Sequence, residues 1–159
     1  VNRFDSYLAT ILDQAGQEAR QDGSTTVEAH HLLLAIAAEP ETSTQQVLSS
    51  VGLDYPAIRA ALDREFERSL AAAGVSAAAA DVPRPSSPPT GSPQLGASVK
   101  LAMERGLGSV GRKQDLRPAH LLLGIVQAQA GTVPRALAQA RVDPAGLAER
   151  VRQTLASGS

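Results

Sequence analysis

The residues most able to do chemistry are three histidines, His30, His31 and His120, and a glycine-rich stretch running from Gly106 to Lys113. A histidine can bind a metal or shuttle a proton near neutral pH. His30 and His31, however, are adjacent, and neighbours on a helix point about 100° apart. No cysteine exists anywhere in the chain, and no carboxylate cluster converges on the histidines. A role in packing or capping a helix is therefore expected, and no metal ligand is assigned. Gly106, Gly108 and Gly111 fit the GxGxxG pattern and fall close to GxxxxGK, which would imply a phosphate cradle. Such a loop follows a strand, opens a helix, and carries Lys and then Ser or Thr after the last glycine. Here Arg112 takes the Lys position, Lys113 takes the hydroxyl position, a helix precedes, and no strand is predicted. A helix stop followed by a loop accounts for the glycines. The hydroxyls of Thr42, Ser43, Thr44, Ser49 and Ser50 lie in no Gly-x-Ser-x-Gly elbow and suit caps and turns. No catalytic residue, cofactor or enzymatic activity is expected.

The elements that carry these residues are set by an internal repeat. His31-Leu32-Leu33-Leu34-Ala35-Ile36 recurs as His120-Leu121-Leu122-Leu123-Gly124-Ile125, 89 residues on. At the same offset Leu48 matches Leu137, Asp54 matches Asp143, Ile58 matches Leu147, Leu62 matches Val151 and Phe66 matches Leu155, all core-type positions apart from the aspartates. Upstream the offset is 87, pairing Asp5 with Ser92, Leu8 with Leu95, Leu12 with Val99 and Ala15 with Ala102. The chain reads as one domain, 1–159, with repeat one at 3–70, an Ala/Pro/Ser-rich linker at 71–91 and repeat two at 92–156.

Each repeat carries four helices. Phe4, Leu8, Ile11, Leu12, Ala15 and Ala19 form one apolar stripe at helical spacing, closed near Gly23. Thr26 is placed to cap a second helix, Ser43 to Val51 a third, and Asp54 with Pro56 opens the fourth. In repeat two the corresponding signals are Ser92-Pro93, Asp115 with Pro118, Val133 to Ala140, and Asp143-Pro144. The fold class is thus all-α, with the leucine-rich second helix of each repeat, apolar nearly all round, most deeply buried. Glu65, Glu67, Arg64 and Arg68 are expected to form a solvated face of the fourth helix.

Composition agrees with helices and limits the partners. There are two Phe, two Tyr and no Trp, and fifteen basic against sixteen acidic residues. That balance supplies no field for a phosphate backbone, so nucleic acid is not expected. No apolar run reaches membrane length and no signal segment is visible, so a soluble, cytoplasmic protein without membrane contact is expected. Val1 is not an initiator Met, which fits a piece cut from a longer protein.

The Phe4-Asp5 helix opening, the polar turn ending in Gly23, the His-Leu-Leu-Leu helix and the Val47-Leu48 to Gly52-Leu53 segment, all doubled, resemble the Clp N-terminal domain, most closely that of ClpC-type unfoldases. The resemblance covers Phe4 to about Phe66 and Ser92 to about Leu155. It implies eight helices as two tandem Clp repeats related by a pseudo-two-fold. It also implies a non-enzymatic module of the Clp protease system that binds protein substrates, adaptors or cyclomarin-type cyclic peptides. The cyclic-peptide surface of the family is built from the paired first helices. Carried onto this chain it comprises Val1, Ala9, Leu12, Asp13 and Gly16 with Val99, Lys100, Met103 and Leu107. Family members that read phosphoarginine carry Gly-Thr-Glu-His in each repeat. Here the segments are Glu28-Ala29-His30-His31 and Arg117-Pro118-Ala119-His120, so the acid is His30 in one and Ala119 in the other. A charge-assisted guanidinium contact of about 1.5–3 kcal/mol is then missing from each pocket, and phosphoarginine is not an expected ligand. With no ATPase module in these residues, the resemblance implies either an excised recognition head or a stand-alone paralogue acting as a decoy or sequestering protein. The alternative reading is a regulator that grips the unfoldase or its adaptors through charges such as Arg112, Lys113 and Arg117.

Overall fold

A computed structural model describes residues 3–74, 94–108 and 110–157. Among them the first repeat forms α1 (Arg3–Gln21), a short strand β1 (Thr26–Val27), α2 (Ala29–Ala38), α3 (Ser43–Ser50) and α4 (Tyr55–Ala72). The second forms β2 (Gln94–Leu95), α5 (Ala97–Leu107), a 3-10 turn (Lys113–Asp115), α6 (Pro118–Val126), α7 (Thr132–Gln139) and α8 (Pro144–Ala156). Most of the expected linker, residues 75–91, and the Ser92-Pro93 start lie outside the described residues; α4 itself continues through Ala72.

Where the caps fall follows from local chemistry. Thr42 and Asp54 each accept the N–H three residues on, at 3.2 and 2.9 Å. Asp143 accepts from Ala145 and Gly146. The first turn after α1 is closed by Gly23 at φ 71°, while the Ser24 N–H returns to the Ala19 carbonyl at 2.8 Å. Thr26 does not cap α2. It lies in β1, which pairs in parallel with β2, and the N–H groups of Gln94 and Gly96 donate to the Thr25 and Val27 carbonyls. That pairing keeps Gln94 and Leu95 extended, so α5 begins only at Ala97, and Leu95 is no helical counterpart of Leu8. Asp115 likewise ends a 3-10 turn, and Arg117 is the residue that precedes α6.

The second helices occupy the centre. Leu32, Leu33, Leu34 and Ile36 of α2 and Leu121, Leu122 and Ile125 of α6 are fully buried. Helix α1 packs on α2, and α5 packs on α6. The fourth helix of repeat one lies on α7 and that of repeat two on α3, the exchange that a two-fold between the repeats requires. This exchange corrects the expected solvated face of α4 at one residue: Arg64, Glu67 and Arg68 are exposed as expected, but Glu65 is not. Glu65 is buried and its Oε1 accepts from Arg135 Nε of α7 at 2.8 Å, while Arg64 donates to the Gln139 carbonyl. The same helix turns Phe66 outward: a residue expected in the core is 63% exposed.

A second link between repeats lies at the start of α2 and α5. The Ser98 hydroxyl accepts the Ala29 N–H at 2.8 Å and donates to the Glu28 carboxylate at 2.7 Å. The Thr26 hydroxyl donates to the same carboxylate, which sits where a Cβ on Gly96 would have to go. Each repeat thus supplies the polar group that caps a helix of the other. Burial pushes the Glu28 carboxyl upward, but the hydrogen bonds from Ser98 and Thr26 prevail and hold it below the ordinary value. Glu28→Ala is expected to cost about 1–2 kcal/mol and to speed hydrogen exchange at the Gly96 amide. Unchanged exchange there would show that the strand pairing holds without the carboxylate.

Candidate functional site

The duplicated histidines are helix-capping groups. His31 Nδ1 accepts the Glu28 backbone N–H at 3.0 Å, and His120 Nδ1 accepts that of Arg117 at 3.0 Å. Each satisfies an N–H at a helix start that has no intrahelical acceptor. With Nδ1 accepting, Nε2 of His31 carries the proton and donates to Asp22 at 3.1 Å. Asp22 also meets Arg59 at 3.2 Å, and Arg59 meets Glu18 at 3.1 Å. The Tyr55 hydroxyl closes the chain by donating to Glu18 at 2.9 Å. Glu18 is buried, yet it is paired and hydrogen-bonded, which is what makes a buried charge tolerable. For Asp22, burial is opposed and outweighed by His31 and Arg59, so its carboxyl titrates below the ordinary value.

Asp22, His30 and His31 bring three ligand atoms within 4.8 Å of one another, the geometry of a possible cation site. The hydrogen bonds argue against it. Both nitrogens of His31 are committed, one accepting from backbone and the other donating to Asp22, so no lone pair is left to coordinate. The cluster is a cap joined to an ion-pair network. The His30 ring lies against that of His31, tilted by 43° with centroids 4.1 Å apart. Burial, reinforced by the neighbouring His31, pushes its pKa down to about 4, so the ring is neutral at pH 7.

The glycine-rich stretch is equally structural. Gly106 is buried in α5 where it crosses α6, its Cα side facing Gly124 backbone atoms, and Gly108 ends the helix. Ser109 lies outside the described residues. Lys113 pairs with Asp5 of α1 at 3.2 Å, and Arg117 donates to the Leu155 carbonyl at 3.2 Å. Two of the three cations proposed as a charged grip are therefore engaged within the fold. Thr42 serves as a cap, and Thr44 bonds the Tyr7 hydroxyl.

The nine first-helix residues divide by burial. Ala9, Asp13 and Lys100 are exposed; Leu12, Gly16, Met103 and Leu107 are half-buried; Val1 lies outside the described residues. Val99 is fully buried and faces the core, so it supports α5 from beneath rather than touching a ligand. Its period along α5, shared with Ala102 and Gly106, carried that signal in the sequence. Helices α1 and α5 each pack on the second helix of their own repeat.

Two adjoining cavities, of about 300 and 360 Å³, lie elsewhere, and sequence reasoning did not anticipate them. The first is walled by α2 and α4, the second by α5 and the turn into α7, and His30 and Thr132 line both. Their walls come from both repeats, and no motif marks them along the chain.

The family described as the Clp repeat (R) N-terminal domain matches residues 3–108, and the chain belongs to it. None of the curated proteins matches the chain. Membership makes this an all-α protein-interaction domain of the Clp system, a kind of domain that is not catalytic. Among the described residues no helix is long and apolar enough to cross a membrane.

Proposed function

We propose that this chain binds protein segments for the Clp system, taking substrates, adaptors or cyclomarin-type cyclic peptides on the surface of its first helices. The observation that carries the reading is the set of half-buried apolar side chains Leu12 on α1 and Met103 and Leu107 on α5, which lie against the core yet keep part of their surface in water. Ala9, Asp13, Gly16 and Lys100 complete the surface. Partly exposed apolar groups on rigid helices form a contact face with little ordering cost. If the chain acts without an ATPase, the same face makes it a sequestering or decoy protein. Neither His30 nor the buried Ala119 offers the carboxylate that a phosphoarginine pocket needs, which favours unmodified segments.

Titration of isotope-labelled protein with a cyclomarin-type peptide is expected to move the amide resonances of Leu12, Met103 and Leu107. Shifts confined to α4 and α8 would sink this reading.

A further inference from the structure

Phe66 holds a core-type place in the repeat but stands 63% exposed on α4, where it lines the 300 Å³ cavity with Leu62, Asp22, Asp63 and His30. Past His30 that cavity continues into the second, where Leu101 is 52% exposed. None of the first-helix residues named above lines either cavity. The two together form an apolar groove that crosses from repeat one to repeat two.

Charge at the Phe66 end is one-sided. Arg59 is held by Glu18 and Asp22, and Arg135 by Glu65. Asp63 forms no ion pair with any cation among the described residues, so the acids around this cavity outnumber the bases. An exposed aromatic ring beside an unpaired carboxylate suits a long cationic side chain, whose stem covers the ring while its head reaches the acid.

We propose that this groove is a docking surface for an extended protein segment that carries a Lys or Arg side chain beside apolar residues. The basic side chain lies over Phe66 and Leu62 with its charge at Asp63, and the apolar side chains run past His30 toward Leu101. The groove touches α5 through Leu101, but Asp63 and Phe66 on α4 belong to it alone, so shifts and variants at those two residues distinguish it from the first-helix face.

The test uses the isotope-labelled chain and the capped peptide acetyl-Leu-Lys-Leu-Leu-Ala-amide, with its Gln-for-Lys counterpart as comparison. The Lys peptide is expected to shift the amides of His30, Asp63, Phe66 and Leu101 and to bind at least about fivefold more tightly than the Gln peptide. Asp63→Asn is expected to weaken it about threefold and Phe66→Ser about tenfold. Both positions are exposed, and unchanged circular dichroism checks that the variants fold. The proposal is overturned by equal binding of the two peptides, by shifts confined to the first-helix face, by full affinity in both variants, or by no binding at about 1 mM peptide.

Discussion

Gly124→Ala is expected to destabilise the protein by about 2 kcal/mol or more, although alanine is the better helix former by about 1 kcal/mol. The reason is the crossing of α5 over α6. A Cβ on Gly124 would overlap the Ala102 carbonyl oxygen and stand 2.9 Å from the Gly106 Cα. Both obstacles are backbone, which cannot swing aside as a side-chain tip would, so the helices must move apart and loosen the packing around Leu121 and Ile125. In repeat one the matching residues are Ala35 and Ala19, both fully buried, so that crossing accepts two methyl groups where this one accepts none. Gly146→Ala on α8 is the control. Its Cβ would meet only the Asp143 side chain, at 3.4 Å and beyond, and the change is expected to be neutral or stabilising by up to about 1 kcal/mol. Urea unfolding of the three proteins decides: a Gly124→Ala midpoint equal to the parent, at unchanged slope, would show that α5 and α6 separate easily.

That crossing shows what the sequence could and could not tell. The 89-residue offset aligned Gly124 with Ala35, and the helices, their fourth-helix caps at Asp54 and Asp143 and the buried leucines of α2 and α6 follow the repeat pattern. Periodicity reports which face of a helix is apolar, and that suffices for elements packed within their own repeat. It does not report which helix of the other repeat an element meets. Glu65 looks like surface until Arg135 arrives from 70 residues away, and Phe66 looks like core until α4 turns it outward. The start of α5 is hidden for a related reason: the β1–β2 pairing reaches across the repeats, and two paired residues leave no alternation to detect. Leu12, Met103 and Leu107 are reached through the family resemblance, whereas the groove past His30 has no such guide, because its walls come from five separate segments.

Acid should weaken the fold well above the pH at which carboxylates titrate, and His30 is the cause. Its pKa is about 4 in the folded chain against an ordinary 6.5, chiefly through burial and then through His31, with Asp22 and Glu28 only partly opposing and Arg59 adding to the drop. The unfolded chain therefore binds a proton that the folded chain refuses between those values. Stability is complete above pH 6.5 and falls as the pH drops toward 4, by about 3 kcal/mol at most across the window. His120 is lowered as well, by burial and Arg117, and contributes in the same direction. Asp22 and Glu28 act in a lower range: their depressed carboxyls stabilise the fold above their ordinary values of 3.8 and 4.5, and that contribution disappears only as the pH falls through the folded values. Urea unfolding at a series of pH values between 7.5 and 4.5 is expected to show a steep loss in the parent and a visibly flatter one in His30→Gln. Parallel curves would mean that the ring is hydrated in the folded state after all, and that the wall between the two cavities is open to water.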